Sequence, residues 1–329
     1  MNLSISEKIV SSWAKRNSVP LGLCAKNIKA TYIWNPGGFV NQSYQITDGE
    51  TKLHVKFVKE EMVSSLLQWK LVNKQLTKNY FAPKLVFEIK EEVLQGYPYG
   101  LVFEYYNGKA LHTISNPLPF VQKIIPLLNK LHQDHYLKEL IGMNRAVTYA
   151  ETFKEEYITR FKEDLDIITQ RKQLLYFVKD ETIDWMQKEV DNIQEMVSSH
   201  PNFQEEATDV VHNDIGWQNV LVQQHNYCII DWDNLTLAGD AAMDYSVFLW
   251  PLYKTTNFSY IRDYIEQIVG KNMMERMALY FRAKLLDEVI DVLADYIEAE
   301  EFPEVKQQTQ KRAREIHQRA IQEYRKLYN

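Results

Sequence analysis

Residues 210–234 read VVHNDIGWQNVLVQQHNYCIIDWDN. A polar loop carrying His212, Asp214 and Asn219 runs into an apolar stretch at 220–222. A tight turn at 224–226 and a second apolar stretch at 227–230 follow, ending on Asp231. Asn219 lies five positions after Asp214, and Asp231 lies twelve after Asn219. That is room for a loop, a strand, a turn and a returning strand, so a hairpin is expected to bring Asp231 back beside the loop. Phosphoryl transfer needs one group that orients an attacking hydroxyl and takes its proton. It also needs oxygen ligands that hold Mg²⁺ against the phosphates. Asp214 fits the first role, and Asn219 with Asp231 fits the second. Taken singly, each of these residues reads equally as a turn or capping group; their joint spacing points to the chemistry.

Upstream of this segment the chain is strand-rich. Stretches at 30–34, 39–47 and 52–58 are β-branched and aromatic, and Asp48-Gly49 between the last two marks a hairpin turn. Val63, Leu66, Leu67, Leu71, Val72 and Leu76 recur at helical spacing over 60–77, after which Pro83 precedes two more strand-like runs at 85–89 and 100–104. Together they predict a five-stranded sheet with one main helix. Before it, Ile5, Ile9 and Trp13 predict the apolar face of a short leading helix. Beyond Gly108 long helical patterns take over, at 121–132, 149–166 and 182–198.

Composition narrows the function classes. The chain has 329 residues, 45% hydrophobic and 25% charged, the make-up of a globular protein. No apolar run approaches the ~18 residues of a membrane span, and charges occupy the start where a signal peptide has its apolar core, so a cytoplasmic protein without a membrane role is expected. Two cysteines, Cys24 and Cys228, provide neither a disulfide framework nor paired zinc ligands, and both read as small buried side chains. A net charge of −6 disfavours nucleic acid as a partner. If charge selects a partner, that partner is cationic.

The pattern His-x-Asp-x-x-x-x-Asn, followed by Ile-Asp-Trp-Asp, resembles the catalytic loop and metal motif of the aminoglycoside phosphotransferases and choline kinases. His212-Asn213-Asp214 is similar to the choline kinases in particular, many aminoglycoside enzymes carrying Gly in the middle. The resemblance implies an α+β, bilobal, protein-kinase-like fold. Its small β-rich N-terminal lobe would span 1–104, its hinge 105–108, and its larger helical lobe 109–329. It implies an ATP- or GTP-dependent, Mg²⁺-requiring kinase acting on a hydroxyl of a small molecule such as an aminoglycoside, choline or another amino alcohol. Asp214 would be the base, His212 the buttress of its loop, and Asn219 and Asp231 the metal ligands. Lys56, in the alternating run Leu53-His54-Val55-Lys56-Phe57, would reach the α and β phosphates; taken alone it reads as a solvated strand lysine. The turn at 35–41, with Gly37, Gly38 and Asn41, would fold over the phosphates. Glu104 and Tyr106 would lie at the hinge, where the base meets backbone groups.

The segment Gly239-Asp240-Ala241-Ala242-Met243-Asp244-Tyr245 is similar to the family's Gly-Asp-Pro-x-x-Asp-Leu, in which the second Asp braces the loop; Asp240 itself reads as a helix N-cap. Twelve residues between Asp231 and Asp244 leave no room for a peptide-docking segment, so the acceptor is expected to be small. The family's acidic partner for the lysine has no counterpart, since alignment puts Gln68 there and Glu60 and Glu61 come earlier. That departure keeps a second reading open: a catalytically silent nucleotide-binding scaffold of the kind found in spore coats. The acidic run Asp287, Glu288, Asp291, Asp295, Glu298, Glu300 and Glu301 reads either as a wall facing an amine-bearing substrate or as the solvated face of a packed helix. Trp217, Trp232 and Trp250 read either as cation-binding faces or as packing.

Overall fold

The computed structural model describes residues 3–33, 41–142, 146–301, 303 and 306–328. Gly37 and Gly38 lie outside the described residues. By compactness the chain divides into two units, residues 1–143 with 212–237 and residues 144–211 with 238–329.

The first unit is built on five antiparallel strands, β1 (Lys29–Tyr32), β2 (Asn41–Thr47), β3 (Lys52–Val58), β4 (Leu85–Ile89) and β5 (Tyr99–Glu104), in the order β1-β2-β3-β5-β4. The β2–β3 turn forms because the Asp48 Oδ1 accepts the N–H groups of Glu50 (3.0 Å) and Thr51 (2.8 Å), while Gly49 takes φ 106°. Residues directly opposite on adjacent strands share a face, so the register Ser43↔Lys56↔Leu101 sorts the side chains. Tyr44, Ile46, Leu53, Val55 and Phe57 form one buried face and pack on Val10, Trp13 and Ala14 of the helix Leu3–Arg16. Trp13 meets Phe57 edge-on (6.4 Å) and donates its Nε1–H to Glu91 (2.8 Å). The other face carries His54 and Lys56, and is covered by the helix Val63–Tyr80, whose Trp69 stacks on Phe103 at 4.3 Å.

Two sequence expectations are corrected in this unit. Ile5 and Ile9 are exposed, and the buried face of the leading helix is Ser6, Val10, Trp13 and Ala14. The helix is turned because Glu7 and Ser11 are drawn to β1: Glu7 Oε1 accepts the Tyr32 N–H (2.9 Å) and Ser11 Oγ the Ala30 N–H (2.8 Å). Cys24 is exposed, its N–H bound by Asp48 Oδ2 at 2.7 Å in a surface turn, whereas Cys228 is buried and burial pushes its thiol up to about 12.

The second unit is helical, with its main helices at Thr159–Gln170, Asp180–Ser199, Ala241–Tyr253, Thr256–Val269, Lys271–Glu298 and Lys306–Tyr328. Phe153, Tyr157, Phe161, Phe203 and Tyr280 form its aromatic centre. Asp240 is the N-cap of Ala241–Tyr253, accepting from the Ala242 N–H at 2.9 Å, and also forms a buried ion pair with Arg276 at 3.1 Å. Several acids of the run at 287–301 are engaged by basic side chains of neighbouring segments. Asp287 pairs with Arg160, Glu288 with Lys254 (3.6 Å) and Arg319 (3.5 Å), and Glu300 with Lys306 (2.7 Å). At Asp291, burial, reinforced by the charges of Asp287 and Asp295 against the pull of Arg160, pushes the carboxyl up to about 7. Asp164 on the facing helix is pushed up to about 6 by burial and by the same acidic neighbours, against the pull of Arg160. Among the described residues no helix is long and apolar enough to cross a membrane.

Two outcomes follow from this packing. Trp13→Ala empties the centre of the sheet's covered face and should cost about 3–5 kcal/mol, read as a lowered denaturant midpoint. Asp291 has a folded pKa raised above its unfolded value, so its stabilising contribution is present at acid pH and is lost as pH rises through about 7. Asp291→Asn should therefore raise the melting temperature at pH 8 and have little effect at pH 4, in parallel thermal melts.

Candidate active site

In the first unit the segment from 212 onward folds as a loop, a turn at Trp217–Asn219, and a hairpin of Val220–Gln223 with Asn226–Ile229. Lys109–Ala110 adds a third short strand along Val222 and Leu221. The backbone N–H of Ile230 donates to Asn219 O at 2.9 Å, so the hairpin returns beside the loop, as the spacing predicts.

His212 is fully buried, and its two ring nitrogens have separate tasks. Nδ1 accepts the Asp214 N–H (3.3 Å), so Nε2 carries the hydrogen and donates to Ile230 O (3.0 Å). The imidazole thereby ties the start of the loop to the strand that leads into Asp231. Between His212 and Asp214, Asn213 sits at φ 69°, a left-handed conformation that Gly and Asn adopt with least strain. The backbone thus explains why this position is Asn here and Gly in related motifs.

The Asn219 amide nitrogen donates to both the Asp214 backbone carbonyl (2.8 Å) and Asp214 Oδ2 (2.9 Å). With both hydrogens used, Asn219 presents Oδ1, a metal-binding type of atom. Asp231 also stands in the left-handed region, at φ 67°, and opens the tight turn Trp232–Asn234. Its side chain is about one-third exposed and forms an ion pair with Lys56. Burial alone would raise the Asp231 carboxyl, but the Lys56 ammonium outweighs it and holds the group well below the usual carboxylate range.

Lys56 is 5% exposed, with Nζ 2.7 Å from Asp233 Oδ2 and 5.9 Å from the Trp69 ring. It is not a solvated strand lysine. Burial and the neighbouring Asp231 charge raise the Asp233 carboxyl to about 6. Burial and Lys56 lower His54, on the same face, to about 4. Asn41 is opposite Val58 in the β2–β3 register and so shares that face. Its buried Oδ1 has no hydrogen-bond partner among the described residues.

The two hinge residues are arranged differently. Glu104 turns its carboxylate outward to Lys84 (3.8 Å), and its N–H donates to Lys84 O (2.9 Å). Tyr106 lies in the short connection between β5 and Lys109–Ala110, its ring so close to Gly108 that a Cβ there would meet it at 2.8 Å. The structure therefore brings Lys56, His212, Asp214, Asn219 and Asp231 together, with Asn41 on the lysine's face, while the Glu104 side chain points away.

Two residues of this site were not singled out from sequence. Asp233 was visible only as the last letter of the metal motif, and Gln68 only as a missing acid. Gln68 donates its Nε2–H to Leu235 O, holding the turn that carries Asp233. Trp232 is buried against His212 (ring centroids 4.6 Å) and donates to Ile229 O (2.7 Å), so it is a packing residue. Trp250 already has Lys254 over its ring, at 4.8 Å.

Comparison with known proteins bears on the family and the fold. The model of the phosphotransferase enzyme family, APH, matches residues 34–280. No curated protein matches the sequence significantly. Among solved structures, a choline kinase from Cryptosporidium parvum Iowa II is 14% identical, with 97% of this chain and 96% of that one covered and a TM-score of 0.58. The GDP and kanamycin complex of an aminoglycoside phosphotransferase, APH(2")-IIIa, is 11% identical over 94% of this chain and 99% of that one, with a TM-score of 0.65. The spectinomycin phosphotransferase APH(9)-Ia, solved with ADP and spectinomycin, is 14% identical over 96% and 97%, with a TM-score of 0.63. These likenesses establish a bilobal, protein-kinase-like α+β fold. With three-quarters of its length matched, the chain belongs to the APH phosphotransferase enzyme family.

Proposed function

We propose that this phosphotransferase moves the terminal phosphoryl group of ATP or GTP, with Mg²⁺, to a hydroxyl of a small amine-bearing alcohol. The observation that carries the reading is the group formed by Asp214, Asn219, Asp231 and Lys56. In it a carboxylate fixed by an amide lies in the same unit as a second carboxylate paired with a buried ammonium. In this reading Asp214 orients the acceptor hydroxyl and accepts its proton as the oxygen bonds to the terminal phosphorus and the nucleoside diphosphate departs. His212 keeps the loop in register through its two hydrogen bonds. Lys56 binds the α and β phosphates. Asn41 borders them, and backbone groups at Glu104 to Tyr106 meet the base.

The donor set suits Mg²⁺. Asn219 Oδ1 and the Asp231 carboxylate are hard oxygen ligands, and this ion is commonly held by one or two protein oxygens plus phosphates. Bound there, the ion would neutralise charge developing on the phosphates. Support for an amine-bearing acceptor comes from the chain's net charge of −6 and from the kanamycin, spectinomycin and choline named for its structural neighbours. The silent-scaffold alternative rested on the absence of an acidic partner for the lysine, and Lys56 has two.

A panel of choline, ethanolamine, kanamycin, spectinomycin, homoserine and simple sugars, assayed for nucleoside diphosphate release with MgATP and MgGTP, tests the proposal. At least one acceptor should stimulate release, and Asp214→Asn should lower that turnover by about 10²–10⁴-fold while nucleotide affinity stays near wild type. Unchanged turnover in Asp214→Asn would remove the base from its role.

A further inference from the structure

The geometry points to Asp233 as the carboxylate that positions Lys56, a task the family's sequence pattern assigns to an acid on the helix after β3; this inference rests on the phosphotransferase reading above. A buried ammonium needs a counter-charge close by. The helix Val63–Tyr80 does not supply one. Gln68 is neutral and bound to Leu235 O, and Glu60 and Glu61, ahead of the helix, are exposed. Among the described residues the carboxylates in ion-pair contact with Lys56 are Asp231 and Asp233.

These two acids are not equivalent. The Asp231 side chain is 32% exposed, and its oxygens are the ones a metal would claim. The Asp233 side chain is 4% exposed, with Oδ2 at 2.7 Å from Nζ. Its turn is fixed from three sides. Trp232 Nε1–H donates to Ile229 O (2.7 Å), the Leu235 N–H donates to Trp232 O (3.3 Å), and Gln68 donates to Leu235 O. The task of one helix acid is thus divided: Gln68 holds the turn, and the turn presents Asp233 to the lysine. When nucleotide and metal engage Asp231, Asp233 still holds Lys56 toward the phosphates.

The test uses the full chain with Asp233→Asn, Lys56→Met and the double variant. MgADP, MgGDP, adenosine and guanosine serve as probes, with binding read by calorimetry or ligand-observed NMR, and thermal melts are run alongside. Asp233→Asn should weaken the diphosphate probe by about 10–100-fold and leave the matching nucleoside unchanged, because Lys56 acts only on phosphates. In the melts, Lys56→Met leaves two carboxylates side by side without a cation, so the double variant should melt above Lys56→Met. Three results would overturn the inference: wild-type MgADP and MgGDP affinity in Asp233→Asn, equal loss of nucleoside and diphosphate, or a double variant that melts below Lys56→Met. A wild-type protein that binds none of the probes would refute the phosphotransferase reading instead, and the order of the melts would then decide the Lys56–Asp233 pairing alone.

Discussion

Lys56 is a cation with almost no access to water, and the cost of removing an ammonium from solvent is several kcal/mol unless opposite charge accompanies it. Both of its carboxylate partners lie more than 170 residues further along the chain. The strand that carries the lysine and the turn that carries the acids must therefore form together or leave charges unpaired. Much of the local architecture serves that meeting. Trp69 closes the space over the ammonium, Gln68 pins the turn, and the hairpin at Val220–Ile229 delivers the acids beside the loop of His212 and Asp214. A site made this way is preorganised by its own electrostatics.

Backbone strain sits at the same place. Asn213 and Asp231 both have positive φ, at 69° and 67°; Asn213 precedes the proposed base, and Asp231 opens the turn of the proposed metal ligand. Such conformations persist where surrounding contacts over-determine them. Here the contacts are the His212 bonds to Asp214 N–H and Ile230 O, and the Lys56 ion pair. The strain aims two side chains that a relaxed loop would leave free to turn away.

The elements of the sheet and the polar loop were legible in the sequence because they are written locally, in alternation, turn residues and short spacings. Val63 to Leu76 read correctly as a helix for the same reason. What was not legible depended on contacts far along the chain. Helical spacing alone left Ile5 and Ile9 as good a buried face as Val10 and Ala14, and only the hydrogen bonds to β1 decided the rotation. Asp233 looked like any acid after a tryptophan until β3 was set against it. The acidic run read ambiguously because its partners Arg160, Lys254, Arg319 and Lys306 come from three other segments.

The leading helix has a consequence beyond covering hydrophobic area. Four helical residues advance about 6 Å and two strand residues about 6.6 Å, so Glu7 and Ser11 match the spacing of Tyr32 and Ala30 N–H along β1, the outermost strand. The helix thereby occupies donors that a foreign strand would need in order to extend the sheet, and guards this border against self-assembly. One residue inserted between positions 7 and 11 would rotate one acceptor away from the strand by about 100°. The start of the chain is therefore constrained in register as well as in hydrophobicity.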